Sequence, residues 1–170
     1  MTNTTRPKRI DTVSGLIKAS PEVIYQAFLN PEALAAWRPP EGMTCKVYAF
    51  DPHEGGSYRM AFIYDRDEHG VQGKTSAHED VFEGRFVELK PNEQIVEAVD
   101  FESDDPAFSG TMTMTTLLKA VPGGTKVTFI AEDVPEGIKP HEHYEGMTSS
   151  LHNLAKYTEQ VPRSQTRKTS

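Results

Sequence analysis

The residues best able to do chemistry are histidines, acids and hydroxyls gathered near the ends of apolar stretches. His141 and His143 open a helical run, and His78 sits in Lys74-Thr75-Ser76-Ala77-His78-Glu79-Asp80. Acid–base work asks for a histidine and a carboxylate converging on one pocket, so His78, His143, Asp80 and Glu132 form the candidate set. The phrase His141-Glu142-His143-Tyr144-Glu145 is not a zinc motif: four residues after His141 stands Glu145, not a second histidine. No metal and no cofactor are expected. Cys45 has no histidine near it in sequence and reads as a small core residue. Nucleophile-elbow, Walker and dinucleotide fingerprints are absent, and the pairs Gly55-Gly56 and Gly123-Gly124 serve hairpin turns.

A second set is apolar. Trp37, Tyr58, Met60, Phe62, Met112, Met114, Tyr144, Met147 and Leu151 combine aromatic area with adaptable thioethers. Such side chains either fill a solid core or line a pocket for a small apolar or aromatic molecule, with His78 or His143 as its polar anchor.

The elements that must position these residues follow from periodicity. Pro140 to Gln160 has Met147, Leu151, Leu154 and Thr158 at helical spacing, widened by Tyr144 and Ala155. At ~1.5 Å per residue such a helix is roughly 30 Å long and needs a large apolar partner. Before it the chain reads as strands. Arg9 to Lys18 is the first, followed by two short helices that start at Ser20-Pro21 and Asn30-Pro31 and end before Pro39-Pro40. Period-two segments then run over Thr44 to Asp51, Ser57 to Asp65, Glu79 to Leu89, Gln94 to Glu102, Gly110 to Ala120 and Thr125 to Glu132. Tyr58, Met60, Phe62 and Tyr64 share one face, and Met112 and Met114 oppose Thr111, Thr113 and Thr115. Arg66 to Thr75 reads as a polar connection. The expected architecture is α+β: a curved antiparallel sheet of about six to seven strands wrapped round a long C-terminal helix.

The chain has 170 residues, a net charge of −7, 36% apolar and 25% charged residues, and one cysteine. These values suit a single domain over 9–160 with flexible ends at 1–8 and 161–170. The negative charge argues against nucleic acid. The lone cysteine excludes an internal disulfide framework, and no apolar run reaches the length for membrane insertion. A cytoplasmic protein is the expectation.

The phrases at 19–43 (ASPEVIYQAFLNPEALAAWRPPEGM), 50–60 (FDPHEGGSYRM), 82–96 (FEGRFVELKPNEQIV), 110–129 (GTMTMTTLLKAVPGGTKVTF) and 146–157 (GMTSSLHNLAKY) resemble the START-like superfamily of helix-grip proteins. Within it they are most similar to the branch related to the C-terminal domain of the Hsp90 ATPase activator. The resemblance implies a helix-grip fold with an internal cavity under the long helix. It also implies ligand binding, cyclase-, aromatase- or hydrolase-like catalysis in the same cavity, or a protein-interaction role, as a homodimer or with Hsp90. Two departures stand out. Met147 follows Gly146 where the branch often carries Trp, and the length leaves no room for the co-chaperone's separate N-terminal domain, so Hsp90 activation is not the expectation.

Overall fold

The computed structural model describes residues 9–64 and 79–160. Its elements in chain order are β1 (Ile10–Ile17), α1 (Pro21–Leu29), α2 (Pro31–Trp37), β2 (Met43–Phe50), β3 (Ser57–Tyr64), β4 (Glu79–Lys90), β5 (Gln94–Phe101), β6 (Thr111–Val121), β7 (Gly124–Glu132) and α3 (Pro140–Glu159). A single 3-10 turn, Pro106–Phe108, separates β5 from β6. This is the α+β helix-grip arrangement expected from the sequence, with boundaries within one or two residues. His78 and the connection 66–75 lie outside the described residues.

The two short helices start where their caps dictate. Ser20 Oγ accepts from Val23 N, and Asn30 Oδ1 accepts from Glu32 N and Ala33 N, with Pro21 and Pro31 at the first helical positions. Asn30 thus both ends α1 and caps α2. Trp37 closes α2, fully buried against Phe28 and Phe129, and its indole N–H donates to Ala27 O at 3.0 Å. That bond fixes the angle between the two helices while satisfying the only polar atom of the side chain.

All seven strands form one antiparallel sheet in the order β1-β7-β6-β5-β4-β3-β2. β1 and β2 are its edges, and β2 carries a bulge between Val47 and Ala49. Register sorts the residues of the concave face into rows that cross the strands. One row runs Phe50, Tyr58, Gly84, Val99, Met112. The next runs Phe86, Glu97, Met114, Ala131, Asp11. Parallel to these, Val47, Met60, Phe82 and Phe101 make a third.

α3 rests on β1 and on both short helices. Its buried stripe of Met147, Leu151, Leu154 and Thr158 follows the predicted spacing. A Cβ on Gly15 of β1 would come within 3.4 Å of Leu151 Cδ2, so the helix meets the edge strand where its side chain is smallest. Among the described residues no helix is long and apolar enough to cross a membrane.

Candidate functional site

The centre of the concave face holds a charged residue where the pattern calls for an apolar one. In β5, Ile95, Glu97 and Val99 all face inward, and Glu97 is only 1% exposed. Two side chains converge on its Oε1. Arg38, at the C-terminal end of α2, donates from Nη1 at 2.9 Å, and the Tyr58 hydroxyl donates at 2.6 Å. The second carboxylate oxygen, Oε2, is sealed from solvent and has no hydrogen-bond partner. An acceptor buried in that state costs about 1–3 kcal/mol.

Each partner reaches Glu97 through a local device. Tyr58 lies two strands away on β3 and can reach β5 only by laying its ring across β4. Gly84, its register partner there, makes the room: a Cβ at that position would stand 2.1 Å from Tyr58 Cζ. Arg38 is held from behind. Its carbonyl accepts from Ser150 Oγ at 2.6 Å, the next carbonyl, of Pro39, accepts from Asn153 Nδ2 at 3.0 Å, and Glu41 N donates to Ser149 Oγ at 2.9 Å. The segment after α2 is therefore fastened to α3, and the guanidinium projects from it over the Tyr58 ring, 6.0 Å from the centroid.

The electrostatics keep both donors in the states these bonds need. Burial works against the Arg38 charge, but the charge and hydrogen bond of Glu97, joined by Tyr58 and Cys45, together hold the guanidinium above its ordinary value. Burial, then the charge of Glu97, push the Tyr58 hydroxyl well above the ordinary phenol value, so it stays protonated and donates. Nearby, burial pushes the Cys45 thiol up to about 11 against the pull of Arg38, and its Sγ rests 3.8 Å from Met60 Sδ. A neutral thiol of this kind is a packing group rather than a nucleophile.

A second polar cluster sits at the other end of the same row. Asp11 Oδ2 accepts from His143 Nδ1 at 2.8 Å and from Arg9 Nη2 at 2.8 Å, while Arg9 Nη1 donates to Ile138 O. Burial opposes ionisation of Asp11, but the hydrogen bonds from Arg9 and His143 and their charges hold its carboxyl below the usual carboxylate range. Beside Arg9 a cleft of about 550 Å³ opens between the 3-10 turn and the loop at 133–136, walled also by Ser109, Asp133 and Glu136. Between the two polar clusters lie Ala131 and Met114. Three strand spacings of ~4.8 Å separate the ends, roughly 14 Å in all.

The apolar residues singled out from the sequence divide by position. Tyr58, Met60 and Met112 are buried on the concave face, and Trp37 is buried between α1, α2 and β7. Phe62 and Met114 are partly buried on that face, with Phe62, Phe82 and Phe101 in a ring-to-ring row at 4.9 and 5.9 Å. Met147 and Leu151 are buried on α3, whereas Tyr144 on the same helix is 56% exposed. His143 joins Asp11 rather than Glu132, which faces the opposite side of the sheet from Asp80. Asp80 is itself buried, with the Tyr64 hydroxyl 3.5 Å from its Oδ2. Among the described residues no three His, Cys, Asp or Glu side chains gather as a metal site.

Sequence reasoning missed Arg38 and Glu97. The signal for Glu97 was present in Ile95-Val96-Glu97-Ala98-Val99, where strict alternation turns an acid inward. Nothing local marks Arg38, because its partner lies 59 residues on.

The fold as a whole is shared with known proteins. Residues 18–159 match the family described as "Activator of Hsp90 ATPase homolog 1-like protein". The chain belongs to that family. Among solved structures, a protein from Chromobacterium violaceum is 35% identical, with a TM-score of 0.78 over 88% of this chain and 96% of its own. An AHSA1-like protein from Aeromonas hydrophila is 16% identical, with a TM-score of 0.66 over 89% of this chain and 92% of its own, and so shares the fold. One from Arthrobacter aurescens, at 12% identity and a TM-score of 0.73 over 89% and 86%, does likewise. No curated protein matches the chain. AHSA1-like membership fits either ligand or protein binding.

Proposed function

We propose that this AHSA1-like domain binds a small, flat, largely apolar molecule on the concave face of its sheet, beside α3. The observation that carries the reading is incomplete cover. Phe62, Phe101, Met114 and Cys45 point to the concave side yet stay only partly buried, while Met60, Phe82 and Val99 on the same face are sealed. Partly exposed thioethers and rings continuous with a buried core make an adaptable apolar surface. The polar groups at Glu97 and Asp11 would orient what lies across it. The expected ligands are aromatic or polycyclic molecules whose length suits the roughly 14 Å between those ends.

The test is direct. Native mass spectrometry of freshly purified protein should show a retained small molecule, or the folded protein should enhance anilinonaphthalene sulfonate fluorescence in a way that Met114→Glu abolishes. A bare protein mass together with unchanged dye fluorescence would end the reading.

A further inference from the structure

We propose that the concave face selects ligands carrying a neutral hydrogen-bond donor, such as an alcohol, a phenol or an amide N–H, which pairs with Oε2 of Glu97. The inference rests on the reading of that face as a ligand site and names the chemistry it would recognise. Glu97 Oε1 already accepts from Arg38 and Tyr58, so its remaining capacity is concentrated on Oε2. Arg38 and Glu97 together carry no net charge. A cationic ligand would therefore bring an uncompensated charge into a buried site, and an anionic one would meet the free carboxylate oxygen. A neutral donor avoids both penalties and satisfies the orphan acceptor.

The site is closed around Oε2, so a donor must displace a neighbour to reach it. Met114 suits that part. It is the register partner of Glu97 on β6, it is only partly buried, and its unbranched side chain swings among rotamers at low cost. Tyr58 and Arg38 are fixed, one wedged over Gly84 and the other anchored through its backbone to α3.

Four probes on one ring system separate the cases: naphthol, its methyl ether, naphthoate and naphthylmethylammonium, each competed against anilinonaphthalene sulfonate. Naphthol should bind about tenfold tighter than the ether, and both charged probes should bind more weakly than naphthol. In Glu97→Gln the amide oxygen must take over the bonds from Arg38 and Tyr58, which turns the amide N–H2 toward the ligand. The order should then reverse in favour of the ether. Should that variant not fold, infrared difference spectra of the unaltered protein give the same decision. Naphthol should shift a carboxylate stretching band and the ether should not. Equal affinity for naphthol and ether, a naphthol preference that survives Glu97→Gln, or no carboxylate band shift overturns the inference while leaving the ligand site standing. Failure of all four probes to bind defeats the underlying reading as well.

Discussion

At the scale of single residues, Gly84 and Tyr58 act as one unit. The ring crosses β4 because β4 has no side chain at that point, and the crossing is what delivers a hydroxyl to Glu97. Gly84→Ala drives a methyl group into the ring rather than into a flexible tip. Overpacking of this kind typically costs about 1–3 kcal/mol and sometimes more, and the upper end is expected here. The coupling is checkable by urea unfolding in a double-mutant cycle: Gly84→Ala should cost at least about 2 kcal/mol less in a Tyr58→Ala background than alone. Equal costs in both backgrounds would mean that the ring does not need the gap. Tyr58 was visible in the sequence as an inward aromatic on an alternating strand. What it touches was not, because a reach across an intervening strand depends on a register that no local pattern states.

At the scale of elements, α3 is fastened at both its ends and its middle. Its first turn brings His143 to Asp11, Leu151 presses on Gly15, and Glu159 Oε2 accepts from Lys18 N at 2.9 Å. Ser149, Ser150 and Asn153 hold the segment after α2. The helix was legible from its apolar stripe alone, and so were the short helices from their Pro-flanked caps. Its seat on an edge strand was not, since an amphipathic stripe records how much is buried and not against which strand. The Asp11 contact makes the clamp pH-dependent. With its folded pKa held below the unfolded value, Asp11 stabilises the fold above the unfolded pKa, and that contribution is lost as pH falls through the folded one. Stability of the natural protein should therefore drop on acidification below about pH 4, the ordinary carboxylate range. Asp11→Asn should lower stability at neutral pH and flatten that acid limb, as followed by urea midpoints across the range. An unchanged acid limb would show that the Asp11 cluster contributes nothing to it.

At the scale of the whole molecule, strands, helices and polar groups close on one core that spans the sheet and the short helices. Trp37 is the single tryptophan, 1% exposed, edge-on to Phe28 and stacked on Phe129, so its emission reports that core alone. Unfolding by urea should give coincident transitions from Trp37 fluorescence and far-ultraviolet circular dichroism, as one cooperative unit requires. Separated midpoints would mean that the helical corner and the sheet come apart independently. Composition and periodicity sufficed for this architecture because every layer repeats the same alternation. Glu97 breaks that alternation at the centre of the sheet, as Asp11 and Asp80 do on other strands, and one inward acid looks like noise until a partner is placed beside it.

The bulge in β2 has a bearing on how the molecule behaves in company. A half-covered apolar face next to an open strand edge invites copies to zip together, sheet against sheet. Between Val47 and Ala49 the hydrogen-bonding ladder of that edge loses its step, and Lys46 sets an ammonium beside the break, over the Tyr48 ring at 5.5 Å. An incoming strand finds no continuous line of partners there. The irregularity works against strand addition at the β2 edge.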